Sequence, residues 1–312
     1  MDKKIAGLFG VAVLLTAVLF QMNSARIEAD PQLVFPGLKE RLSGLTSIKV
    51  QDPNGNGVSV VKVQDGWVLE GKSRYKVSFS KLSRFLMDFS ELKIVEEKTA
   101  IPSNHARLGV AGNGPGAGTR LILSPGEQSL LVGNDAPSLG SFVRYEDDAQ
   151  VYLTNKRVDA SSDWIDWVDP VVINIEPANI QEVTISTRSA QFLSANRTEE
   201  SGEFALQGVP SGRALKYATV ADSLSRMLVN VRMQDVAPYN PVMFDDPSNT
   251  RFVLNSGETV RVGTVSVDDK FWMHIDRKDL ADWQFEISEL NYKELNKGME
   301  DMLAPIVEAD IE

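Results

Sequence analysis

With 312 residues, 43% hydrophobic and 24% charged, the chain has globular composition and enough length for about two domains. Its formal net charge of -11 repels polyanions, and Lys and Arg are scattered among acids with no basic stripe, which argues against a nucleic-acid partner. Cysteine is absent, so disulfides, thiolate metal sites, thiol nucleophiles and a lipid-modified N-terminal cysteine are all excluded.

Lys3 and Lys4 precede an apolar run from Ile5 to Phe20 that only Thr16 interrupts, and the chain turns polar at Gln21, Asn23 and Arg26. This is the pattern of a targeting or anchoring segment. A cleavable signal needs small residues at -3 and -1, yet cutting after Ala25 places Asn23 at -3 and cutting after Ala29 places Ile27 there. The expectation is therefore an uncleaved anchor in the bacterial inner membrane, lysines inside and the bulk of the chain periplasmic.

From Leu45 onward the pattern predicts short strands: Ile48 to Val50, Val58 to Val63 and Gly66 to Leu69, with Asn54-Gly55-Asn56-Gly57 as a hairpin turn. Leu82, Phe85, Leu86, Phe89 and Leu92 fall at three- and four-residue spacings, which predicts a helix opened by Ser80. After a Gly-rich loop, Arg120 to Leu123 and Leu130 to Gly133 read as a hairpin, and Phe142 to Tyr145 and Val151 to Leu153 continue a meander.

The order then returns with recognisable residues. Leu82-Ser83-Arg84-Phe85-Leu86 reappears as Leu224-Ser225-Arg226-Met227-Leu228, and Thr119-Arg120-Leu121-Ile122-Leu123 as Thr250-Arg251-Phe252-Val253-Leu254. Gly126-Glu127 is echoed by Gly257-Glu258, and Gly133 by Gly263. Two echoes in the same order with matching turns predict an internal duplication, a tandem pair. The expected architecture is α+β: an N-terminal transmembrane helix, then two duplicated β-rich modules, each a strand meander with one main helix. Its expected boundaries are an anchor over 1–25, a linker over 26–44, and modules over 45–165 and 166–312.

A strand pair, a Gly-Trp strand, one helix, a meander, then Trp164-Ile165-Asp166 leading into Ile180-Gln181-Glu182-Val183-Thr184-Ile185 resembles the bacterial domain-of-unknown-function family 4340. The resemblance covers roughly residues 45 to 300. It implies envelope components encoded beside ABC transporters and auxiliary subunits of the gliding-motility, GldG-like type; it implies no functional residue.

No residue pattern carries catalysis, a metal or a cofactor. His105 and His274 each lack a second ligand at helical metal spacing. The glycines of 112–118 precede a strand instead of following one and opening a helix, so they read as a surface loop and not a nucleotide cradle. Glu146-Asp147-Asp148, Asp245-Asp246 and Asp268-Asp269 fall at turns where charge is readily solvated, and Ser90-x-x-Lys93 matches a nucleophile pattern only by lying on the expected helix. Trp164 and Trp167, and Phe271 with Trp272, are the candidate partner contacts, because aromatics dominate interface energetics; core packing is the competing reading.

The expected function is a non-enzymatic, membrane-anchored periplasmic accessory subunit of an ABC-type transport or envelope complex, with protein partners. The alternative is a binding or sensing module that takes a peptide, glycan or lipid in the groove between the repeats.

Overall fold

The structure is a computed structural model that describes residues 32–126, 129–137, 139–188 and 192–306. It divides into two compact units, the first comprising the chain up to Trp67 with Phe79–Trp164, the second Val68–Ser78 with the chain from Ile165 onward.

In the first unit a short helix α1 (Leu38–Arg41) leads to β1 (Ser47–Gln51) and β2 (Gly57–Val63). The Asn54–Gly57 turn joins them: the Asp52 carboxylate accepts from the Asn54 and Asn56 amides at 2.8 and 2.9 Å, and Gly55 takes a φ of 88° that disfavours side chains. Strand β3 (Gly66–Leu69) and β4 (Tyr75–Lys76) follow, then α2 (Phe79–Ser90), β5 (Ile94–Glu97), α3 (His105–Leu108), β6 (Thr119–Ser124), β7 (Ser129–Asp135), β8 (Ser141–Tyr145) and β9 (Val151–Thr154). Seven strands of this unit lie side by side, all antiparallel, in the order β2-β1-β6-β7-β8-β9-β5. Period-two alternation buries Ile48, Val50, Val60, Leu121 and Leu123, while Leu82, Leu86 and Phe89 form the buried stripe of α2. Val34, Phe35 and Leu38 are buried in the same unit.

The glycine-rich segment after α3 is not a freely solvated loop. Arg144, 7% exposed, donates through Nε to the Val110 carbonyl at 3.0 Å and through Nη1 to the carbonyls of Tyr145, Glu146 and Asp148 at 3.1, 3.2 and 2.6 Å. Arg120 adds a bond to the Gly112 carbonyl at 3.2 Å while gripping the Glu146 carboxylate. That grip holds the Glu146 carboxyl below the usual carboxylate range, and burial lowers the pKa of Arg144.

The second unit contains β10 (Val171–Ile173) paired with β14 (Val231–Arg232), and a larger sheet of β11 (Ile180–Ser186), β12 (Phe192–Arg197), β13 (Phe204–Leu206), β15 (Asp235–Pro238), β16 (Ser248–Leu254), β17 (Thr259–Val267), β18 (Lys270–Ile275) and β19 (Trp283–Ile287). Helix α4 (Glu289–Leu295) follows. The sheet order is β13-β12-β11-β16-β17-β18-β19-β15, so the stretch from β12 to β15 has the connectivity of β2 through β5 in the first unit. Register agrees as well: Val50 faces Leu121 as Val183 faces Phe252, and Arg120 faces Leu131 as Arg251 faces Arg261.

The expected α+β architecture is corrected. The fold is mostly antiparallel sheet with few, short helices, and the expected main helix of the second copy is absent: Val220–Arg226 is 3-10. The cause is local. Ser223 Oγ donates back to the Val220 carbonyl at 2.7 Å, Ser225 Oγ to the Asp222 carbonyl at 2.8 Å, and the Asp222 carboxylate accepts from the Phe204 amide at 2.8 Å. Short polar side chains that bond their own backbone compete with the α-helical ladder. The expected N-terminal transmembrane helix falls on residues 1–25. Residues 1–25 lie outside the described residues, and among the described residues no helix is long and apolar enough to cross a membrane. The 12 residues of α2 rise about 18 Å against a hydrocarbon core of about 30 Å.

Candidate functional site

An open cleft of about 430 Å³ lies in the second unit. Its floor forms where Leu215 bridges Leu303: the Lys216 amide donates to the Met302 carbonyl at 2.9 Å, and the Ala304 amide to the Ala214 carbonyl at 2.8 Å. One wall is the 3-10 segment carrying Val220 and Ser223; the other is α4 and the residues just beyond it. Ser288 caps α4 by accepting from the Asn291 amide, Leu295 is buried, and Thr250 Oγ1 on β16 donates to the Leu295 carbonyl at 2.7 Å. Those contacts fix the helix over the buried face of the sheet.

Lys216, Lys293 and Lys297 line this cleft with Tyr217, Tyr292 and Asn296; Asp301 is the one acidic lining residue. Lys216 Nζ donates to the Asp301 carbonyl at 2.7 Å, Lys293 pairs with Glu289 at 2.6 Å, and Lys297 pairs with Glu294. The Asp301 carboxylate is itself engaged, accepting from the Gly298 amide at 2.8 Å. Asn296 Nδ2 donates to Thr264 Oγ1 at 2.9 Å and to the Tyr292 carbonyl at 2.7 Å. The Tyr292 ring rests on Phe271, with centroids 4.7 Å apart, whereas Tyr217 is 57% exposed. Ammonium groups, phenols and an amide of this kind suit recognition of a polar ligand.

Elsewhere the groups with chemical potential are tied into structure. His105 is buried with Nε2 2.8 Å from the Ala149 carbonyl; His274 Nδ1 is 3.0 Å from the Trp283 carbonyl, and its ring stacks on Tyr239 at 3.8 Å. Burial, with Asp169 adding to it, pushes the Tyr75 phenol up to about 12; burial does the same to Tyr145, also to about 12, so both stay protonated near neutrality. Among the described residues no group of three His, Cys, Asp or Glu is placed to hold a metal ion.

A family model described as Domain of unknown function (DUF4340) matches residues 67–253. The chain belongs to the DUF4340 family. No curated protein and no solved structure matches it. In this DUF4340 chain the matched region holds Trp164, Trp167, Lys216 and Tyr217, while Phe271, Trp272, Tyr292, Lys293 and Lys297 lie beyond it.

The four aromatic candidates take different places in the DUF4340 fold. Trp164 and Trp167 delimit one 3-10 turn, where Trp167 is buried, its carbonyl accepting from the Ser78 amide at 2.8 Å, and Trp164 is half-buried. Phe271 and Trp272 are consecutive on β18 and so face opposite sides of the sheet. Phe271 opposes Ile287 and supports Tyr292 of the cleft wall; Trp272 opposes Glu286 and Val265 on the other face. Sequence reasoning missed the lysine cleft. The spacing of Lys293, Asn296 and Lys297 marks one helical face, but Lys216 and Tyr217 join it only through the Leu215–Leu303 bridge.

Proposed function

We propose that this DUF4340 protein is a non-enzymatic accessory subunit of an ABC-type transport complex in the bacterial envelope, of the gliding-motility, GldG-like type, working on the periplasmic side of the inner membrane. The observation that supports a non-catalytic role most directly is that both histidines in the chain are committed to backbone carbonyls, at Ala149 and Trp283. Each bond occupies one of the two ring nitrogens, and the burial of His105 and the stacking of the His274 ring on Tyr239 support packing roles for both. The envelope address is supported by Lys3 and Lys4 ahead of the Ile5 to Phe20 apolar run, a targeting pattern.

In a deletion strain, a His105→Gln/His274→Gln double variant that circular dichroism shows to be folded restores the phenotype to the wild-type level. Loss of a catalytic acid or base costs about 100- to 10,000-fold in rate, so a folded but inactive double variant contradicts the non-enzymatic reading. A binding or sensing module is the second reading, favoured by the cleft beneath α4.

A further inference from the structure

We propose that the cleft between α4 and the Val220–Arg226 segment binds a small hydroxylated oxyanion, a sugar acid or a sugar phosphate. On a chain of net charge -11, this cleft is lined by three ammonium groups from two segments far apart in sequence, with Lys293 and Lys297 each paired to a glutamate of α4 and Asp301 the one acidic lining residue. Neutralising the C-terminal end of α4 accounts for Lys293 in its last turn, but not for Lys216, which comes from the floor beside the Leu215–Leu303 bridge.

None of the three lysines is locked. An ammonium has three donors, and Lys216 uses one of them on the Asp301 carbonyl. The Lys293–Glu289 pair is exposed on both sides, 68% and 60%, and exposed i,i+4 pairs contribute little, so an incoming oxyanion displaces Glu289 at little cost. Lys297 pairs with Glu294, and its side chain remains 21% exposed. Glu300, next to Asp301 in sequence, is paired with Arg213, which grips its two carboxylate oxygens at 3.1 and 2.9 Å.

The remaining lining specifies what accompanies the oxyanion. Both amide hydrogens of Asn296 are engaged, which fixes the amide and leaves Oδ1 to accept from a ligand hydroxyl. The exposed ring of Tyr217 and the supported ring of Tyr292 present apolar surface suited to the face of a sugar ring, with Met302 buried at the cleft lining. The volume of about 430 Å³ falls in the range of small-molecule sites.

Titration calorimetry of the folded protein with glucuronate, glucose 1-phosphate and glucose tests this. At least one of the two anionic probes saturates with Kd below about 1 mM in low salt, and glucose binds at least about tenfold more weakly. Lys216→Gln/Lys297→Gln weakens the anionic probe at least about tenfold, whereas Lys62→Gln, whose ammonium bonds the Ser43 carbonyl in the first unit, leaves it unchanged. Perturbation of the Met302 methyl resonance on titrating wild-type protein places the ligand without any variant. Preference between the two anionic probes separates a carboxylate from a phosphate source. No saturation by either anion, glucose binding equal to theirs, an unchanged affinity in the double variant, or an unmoved Met302 methyl overturns the proposal. None of these results bears on membership of an ABC-type complex, which is read separately.

Discussion

Replacing Arg144 with Met lowers the unfolding free energy of the first unit by about 2–3 kcal/mol. Arg144 is 7% exposed, and its guanidinium ties carbonyls of the β8–β9 connection to Val110, at the start of the glycine-rich segment. Methionine keeps the apolar stem and removes every donor, leaving four carbonyls with one partner fewer. An unsatisfied buried acceptor costs about 1–3 kcal/mol, which applies at Val110; the carbonyls of exposed Glu146 and Asp148 lose less because water reaches them, and that of Tyr145 keeps the Asp148 amide. Urea denaturation measures the loss. Hydrogen exchange should rise first over residues 109–118, because Gly116 already sits at a φ of 73°, with any added Cβ 2.2 Å from the Ala106 carbonyl, so that segment has few alternative ways to pack. A loss below about 1 kcal/mol would show that solvent satisfies those carbonyls and that Arg144 clamps nothing.

Phe252→Ala costs about 3–5 kcal/mol in the second unit. Phe252 is fully buried on β16, facing Val183 on β11 and Val260 on β17, themselves buried. Removing the ring takes away its transfer free energy and leaves a cavity between strands whose ladder hydrogen bonds resist collapse. Phe252→Leu, which the equivalent Leu121 of the first unit shows to be compatible with this position, costs about 1.5 kcal/mol or less. Phe192→Ala, at a ring 62% exposed, changes stability by no more than about 0.5 kcal/mol. Equal effects at Phe252 and Phe192 would contradict the core assignment. Denaturation with exchange readout on the β16 amides discriminates the outcomes.

The strands were legible because their signals are local. Asn54 to Gly57 supplies turn chemistry between two β-branched runs, and the structure places β1 and β2 on either side of it. The echo of Thr119 to Leu123 in Thr250 to Leu254 corresponds to strands that hold the same place in their sheets, because alternation and register travel together. The helix expected at Leu224 failed for an equally local reason: Asp222, Ser223 and Ser225 spend their side chains on nearby backbone, a competition that the apolar spacing of Val220, Leu224 and Leu228 does not reveal. Trp167 is buried and Trp164 half-buried, and the pleat sets Phe271 and Trp272 on opposite faces of the sheet, a separation that the sequence pair alone does not display. The cleft was illegible for a different reason. Lys216 and Lys297 are brought together by backbone pairing at Leu215 and Leu303, which carries no charge or motif signal.

The proposed role is tested most directly by whether the chain is held in a complex. The full chain, tagged at its C-terminus and expressed at native abundance, is purified from detergent-solubilised membranes, and its companions are quantified by mass spectrometry. The accessory-subunit reading predicts an ABC-type ATPase and its membrane permease in near-equal amounts with the tagged chain. Recovery of the chain alone from membrane and soluble fractions would contradict it.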